Sequence, residues 1–511
     1  MSTRVLASAL SLLLTVGPSL AEAPLSAIDW LSRSVSTPAE AAQPAPEEPA
    51  VSSGVTPESI SVSVLDGPSP DATGLLSPQI TGLPSALWGL GRTDEIVKLI
   101  REERVDTLPT LQALLNTILL AEAEPPADAA GRGMLLLART DKLLDLGALD
   151  QAAALLDAAG TEDPELFRRT FDVALLTGTE DRACETMQAN PKLAPTFPAR
   201  IFCLARSGDW NAAALTLRTA QALGYVSDEE DALLSRFLDP ELYEGEPPLL
   251  APTRPSPLVW RMREAIGEPL PTNTLPLAFA HAELRDTAGW KSQLDAAERL
   301  ARAGAIAPNK LLGLYTERKP AASGGVWDRV AAIQAFDAAI SAGDVAMVSD
   351  QLPLVWSRME AAELEVVFAT LYADALLSLP LSGETEALAF RIELLSPHYE
   401  RAAAGRLPAD TMEAYLIALA KGDPGSATPP DSLARAITPA FGEPEVDATF
   451  AGLIAEGRMG EALLMAIDRI GAGLRGEPGG VTAGLSLLNK VGMEDAARRT
   501  ALELMLLERR G

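Results

Sequence analysis

The chain uses cysteine twice and histidine twice in 511 residues, and only 5% of its residues are aromatic. These shortages exclude a good deal. No cysteine pattern has metal-ligand spacing. A histidine-based metal site or nucleophile–base pair would need His281 ("AFAHAEL") or His398 ("LSPHYE") to find partners far away in sequence. His281, after Ala278-Phe279-Ala280, reads as a helix-edge residue. GxSxG and the P-loop are absent, so these signatures of hydrolase and nucleotide sites are missing. Beyond the N-terminus no stretch reaches the ~18 uninterrupted apolar residues of a membrane helix. Basic residues are scarce as well. With 42 against 70 acidic ones the net charge is −28, which repels nucleic acid and anionic membrane surfaces.

What is present is aliphatic. Hydrophobic residues make up 47% of the chain, and alanine and leucine supply most of them, as in close-packed helices. A chain of this length is expected to fold as two or three packing units. It opens "MSTRVLASALSLLLTVGPSLAEAPL": Arg4 is followed by the apolar run Val5 to Val16, then Gly17-Pro18 and small residues. That is the layout of a secretory signal peptide, too short to span a bilayer. Cleavage is expected after Ala21, giving residues 1–21 as the signal, because cleavage after Ala23 would leave Pro24 behind the scissile bond. The expected location is the periplasm, with an extracellular one also open.

Proline and glycine divide the rest. Residues 22–57 are a Pro/Ala/Glu-rich linker that cannot bury enough apolar surface to order itself. In 58–85, Ile60, Val62 and Val64 alternate with serines, which predicts an extended, mostly non-helical arm. Too few apolar anchors are present for a core, so this arm is expected to dock on the helices that follow. Those helices are read as 86–243, 277–420 and 448–511, separated by Pro-rich and Pro/Gly-rich connections at 244–276 and 421–447.

The helical stretches carry a repeat. "GALDQA" at Gly147, "GTEDRA" at Gly178 and "GDWNAA" at Gly208 lie 31 and 30 residues apart, each with alanine five positions on: Ala152, Ala183 and Ala213. A stripe follows at helical spacing, including Cys184 in one copy and Trp210 in another. Gly457 with Ala462, and Gly492, open further copies 35 residues apart. Physically, the glycine ends one helix in a left-handed conformation, and small residues let the next helix approach closely. Asp163 before Pro164 and Ser227 with Glu230 are expected to cap helices.

This glycine-to-alanine pattern resembles the tetratricopeptide-repeat superfamily and its degenerate relatives, although the family's Trp, Tyr and Pro positions are not reproduced. The resemblance implies an all-α fold, an α-solenoid of stacked antiparallel helical hairpins, and a scaffold that binds protein partners. The expected function is therefore a scaffold or assembly factor of the cell envelope, with no catalysis and no cofactor. The alternative is a peptidoglycan- or glycan-processing enzyme. "PESIS" at Glu58 is superficially similar to the Glu-Ser of soluble lytic transglycosylases, but the Gly- and Met-rich sequence expected to follow is missing. "ASGG" (322–325) is either an anion-binding turn or a plain loop.

The two cysteines are expected to pair. Cys184 lies six residues before the turn that starts near Asn190-Pro191, and Cys203 eight after its end near Pro195. At ~1.5 Å per residue they reach similar heights on adjacent antiparallel helices. An even number of cysteines in an exported chain supports a disulfide.

Overall fold

The structure, a computed structural model, describes residues 69–160 and 162–507. The expected signal peptide, the linker, Glu58 and the alternation at Ile60, Val62 and Val64 lie outside the described residues. Among those described, every regular element is helical, and a lone parallel bridge between Leu76 and Ala121 is the one trace of sheet pairing.

The local chemistry explains where the helices start. Asp163 Oδ1 accepts the Glu165 and Leu166 amides at 2.8 and 3.2 Å, with Pro164 at the first helical position. Ser227 and Glu230 form a capping box at the head of Asp228–Leu238. Proline also acts as an initiator inside the stretches that sequence divides as connections. Within 244–276, Ser256 caps and Pro257 opens the helix Pro257–Ala265; within 421–447, Asp431 caps the short helix Ser432–Ile437. A proline with its φ preset for the first turn starts a helix as readily as it stops one.

Neighbouring helices pack as hairpins: Met134–Asp145 with Leu149–Ala159, Phe197–Arg206 with Trp210–Leu223, and Val326–Ala342 with Val345–Glu360. The chain then departs from a simple row. Residues 180–265 form a lobe whose core holds Phe202, Cys184, Cys203, Leu234 and Met262 and is completed by Phe171 of Pro164–Thr177. The lobe returns when Pro257–Ala265 packs against Pro164–Thr177. The 3-10 helix Leu277–Leu284 next touches Met134–Asp145, Pro164–Thr177 and Trp290–Arg302 at once, and joins lobe and body.

The rest of the main body runs on to Thr411–Ala420, which packs on Glu494–Leu506, and that helix packs on Pro109–Leu120. Early and late helices thus meet. At this seam Glu503 accepts from the Thr110 amide at 3.0 Å and from the Thr110 hydroxyl at 2.6 Å, both buried. The Gly460 amide donates to the Leu87 carbonyl at 2.8 Å. Two glycines make the approach possible. A Cβ on Gly89 would lie 2.4 Å from the Gly457 carbonyl carbon, and one on Gly460 would lie 2.4 Å from the Trp88 ring. Neither site has room for a side chain.

Residues 69–85 lie against the helices. Leu83 is buried in the main core and Leu76 packs against it, whereas Leu75 and Ile80 are exposed. Main-chain bonds add to this. The Leu75 and Leu76 amides donate to the Leu120 carbonyl at 2.8 and 3.1 Å, and Glu122 donates back to Leu76. Asp71 accepts the Leu136 amide at 2.8 Å. Arg139, fully buried, donates to the carbonyls of Leu119, Thr73 and Ala121 at 2.6, 2.7 and 2.9 Å. Three charge-assisted bonds to carbonyls offset the cost of burying this guanidinium.

Candidate binding cleft

The residues singled out from the sequence fall into three places, none of them a cleft. The first is the lobe core. The sulfurs of Cys184 and Cys203 lie 1.98 Å apart, at disulfide distance, with their Cα atoms separated by 5.0 Å. Both side chains are buried, on Glu180–Ala189 and Phe197–Arg206, with the 3-10 turn Pro191–Leu193 between these helices. The second is the repeat. Gly147, Gly178, Gly208, Gly457 and Gly492 all have φ between 70° and 85°. Ala152, Ala183, Ala213 and Ala462 are buried against neighbouring helices. Trp210 differs from the packing role read for it: it is 51% exposed. As the first residue of its helix it stands at the lobe's rim, its ring 6.5 Å from that of Phe237.

The third place is the junction between lobe and body, and it holds His281. This histidine is not at a helix edge. It is buried in the 3-10 helix Leu277–Leu284, and its Nε2–H donates to the Gly147 carbonyl at 2.6 Å. Burial lowers its pKa, so the ring is neutral at neutral pH. His398 precedes Tyr399–Ala404, and its amide donates to Ser396 Oγ at 3.0 Å. In "ASGG" the Gly324 amide is already taken by Asp328 Oδ1 at 2.8 Å, so the turn's own carboxylate occupies the place of an anion.

Several carboxyls have strongly shifted pKa values. Burial pushes Asp172 up to about 7, although Arg168 and Arg169 pull the other way. Asp141 meanwhile takes Arg169 bidentately at 2.5 and 2.7 Å. Burial, reinforced by Asp468, raises Glu103 to about 8 against the opposing charge of Lys142. These groups sit in helix interfaces and line neither of the clefts described next.

A cleft of about 710 Å³ opens where the C-terminal ends of Thr411–Ala420 and Pro478–Lys490 meet the start of Glu494–Leu506. Lys421, Lys490 and Arg498 line it together with Glu443, Glu494 and Phe441. A second, of about 600 Å³, follows the helix. Thr411, Ala414, Ala418 and Lys421 recur along it at helical spacing, and residues 426–428 complete the lining. Lys421 lines both.

Among the described residues, Lys421 and Lys490 make no ion pair. Arg498 Nη1 donates to Glu400 at 2.6 Å, while its buried Nε has no hydrogen-bond partner. Asp410 is engaged as a helix cap on the Glu413 amide at 2.8 Å. No histidine, cysteine, tyrosine or tryptophan lines either cleft. The arrangement suits a ligand held by charge and van der Waals contact. Among the described residues no group of three His, Cys, Asp or Glu side chains is arranged to hold a metal ion.

Sequence reading missed the lysines because each stands just before a helix-ending glycine, in "AKGDPG" and "NKVG". There they read as ordinary partners of a helix C-terminus. No family model, curated protein or solved structure matches the chain.

Proposed function

We propose that the chain is an exported scaffold or assembly factor of the Gram-negative periplasm, which binds other envelope proteins and has no catalysis of its own. The observation that carries this reading is the lining of the two clefts, where small, polar, charged and scattered apolar side chains mix. A glycan-cutting groove calls for a pair of carboxylates flanking the scissile bond, one with a raised pKa. Asp410 is taken up as a helix cap on the Glu413 amide.

The wider architecture fits the same role. In this reading the helices form an α-solenoid of stacked antiparallel hairpins with an extended N-terminal arm along it, and its ends meet at the Thr110–Glu503 seam. Such arrays offer long, continuous surfaces to a partner segment. A buried cysteine pair at disulfide distance suits an oxidising compartment, the destination that the signal-like N-terminus implies. Among the described residues no helix is long and apolar enough to cross a membrane.

Cross-linking and affinity capture of the full chain from periplasm tests the proposal, beside an assay for muropeptide release by the purified protein. The expected outcome is recovery of specific protein partners and no muropeptides. Release of muropeptides with no partner recovered contradicts it.

A further inference from the structure

Trp210, read from the repeat as a packing residue, stands open at the rim of the lobe, the one strongly exposed tryptophan among the described residues. Its ring has a fixed backing. Phe237 lies 6.5 Å from it, Phe202 stacks on Phe237 at 5.5 Å, and Phe171 meets Phe202 edge-on at 6.4 Å. Just beyond Phe237 comes the 3-10 helix Pro240–Tyr243, in which Leu242 is 69% exposed and Tyr243 half-buried. Trp210 and Leu242 thus flank the same place, the C-terminal end of Asp228–Leu238. We infer that this rim docks a segment of a protein partner in which leucine-like side chains are flanked by lysine or arginine. The inference rests on the scaffold reading and names the partner's chemistry at one surface of the lobe.

The apolar part supplies the contact. A ring already held by other rings loses little freedom when a partner covers it, and tryptophan recurs at the centres of binding surfaces for that reason. The charge around it selects the partner. Residues 207–213 and 237–246 contain Asp209, Asp239, Glu241, Glu244 and Glu246, and no lysine or arginine. All five carboxylates are exposed. The arginines that border these stretches are neutralised within the lobe and its edge. Arg206 pairs with Glu180 and Asp181, and Arg236 pairs with Glu246 and Glu268 while lying 5.7 Å from the Tyr243 ring. The next base along Trp210–Leu223 is Arg218, eight residues or about 12 Å from Trp210. Asp209 and Asp239 also cap helices, so Glu241 and Glu244 are the side chains that a partner's cations would meet. Both chain stretches that form the rim are acidic, which repels an anionic lipid surface and attracts a basic segment.

The probe is a labelled peptide of leucine and lysine, measured against the full chain by fluorescence anisotropy. A control peptide has glutamate in place of each lysine. The lysine peptide is expected to bind at least about tenfold more tightly than the control, with affinity falling as salt rises. Trp210→Ser combined with Leu242→Ser should weaken it by ~tenfold or more, with the helical circular dichroism unchanged. Glu241→Lys combined with Glu244→Lys should weaken it to a similar degree. Glu360→Lys with Glu384→Lys, an equal change of net charge at exposed positions of the main body, should leave it within about twofold. Equal binding of the two peptides, absence of binding, a folded serine variant that binds like wild type, or equal losses from the two charge reversals overturns the inference. If the serine variant fails to fold, the two reversals decide alone. Envelope partners that cross-link only outside 207–246 would overturn the inference and leave the scaffold reading standing. Recovery of no partner removes the scaffold reading itself.

Discussion

The lobe at 180–265 and the main body both join chain segments that sequence keeps apart, by opposite means. The lobe links Cys184 to Cys203 across 19 residues, two sulfurs at bonding distance inside a small aromatic core. The body joins Thr110 to Glu503 across 393 residues without a covalent link, through buried hydrogen bonds, close glycine contacts, the Arg458–Glu95 ion pair and a shared apolar core. The difference follows from core size. The lobe core is small, and a domain with little apolar surface to bury gains from a covalent staple. The body core runs from Leu83 to Leu507 and buries enough apolar surface to close without one.

The sharpest way to break this comparison is at the seam. Gly460→Leu would drive a side chain into the Trp88 ring and Leu87, and should destabilise the body by about 4 kcal/mol. Chemical denaturation should then show early loss of the body, with the lobe melting separately. A change within error of wild type would mean that this approach contributes nothing to stability. In the lobe, Cys184→Ala with Cys203→Ala should cost about 3 kcal/mol, the loop-closure value for a loop of this size. Reducing agent should match that loss in wild type and leave the double variant unchanged.

The junction between the regions should respond less. His281→Ala removes a buried ring and leaves the Gly147 carbonyl short of a donor, for about 2 kcal/mol. His398→Ala should stay within ~0.5 kcal/mol, and neither change should alter partner capture. A large loss of partner binding from either, at full stability, would point to catalysis or metal binding and against a scaffold.

The smallest effect separates the regions by pH. Glu103, near the seam, keeps its proton up to about 8 in the folded chain, against 4.5 for the free group. Between these values the folded state holds the extra proton, so this group's contribution to stability falls as pH rises from 4.5 to about 8. Glu103→Gln should flatten that limb relative to wild type, read from denaturation curves across the range. An unchanged slope in Glu103→Gln would show that Glu103 is not protonated as its burial implies.

Much of the helical character was legible in local sequence, because its causes are local. Asp163-Pro164, Ser227 with Glu230 and the glycines that end helices each act within a few residues. The cysteine pair could be placed by counting residues to a turn. Other features have no local trace. Gly89, Gly460 and Glu503 look ordinary in sequence, since each matters only for what arrives from hundreds of residues away. Stripe position alone also misleads. Cys184 and Ala214 share a register, yet the first is buried and the second exposed, because no further helix covers that face of Trp210–Leu223. The cleft lysines were hidden for a related reason. Their proximity is a product of three helix ends meeting, and each alone resembles a cap.

The central claim, that early and late helices close on each other, has a direct test. The Leu90 amide donates to the Glu456 carbonyl at 3.3 Å, and both side chains are exposed. Backbones this close, with exposed side chains, suit an engineered crosslink. Leu90→Cys with Glu456→Cys, oxidised and mapped by mass spectrometry without reduction, should yield a 90–456 disulfide in nearly all molecules, beside the 184–203 pair. Free thiols at 90 and 456 in a folded protein, both alkylated while Cys184 and Cys203 stay paired, would contradict the closed arrangement.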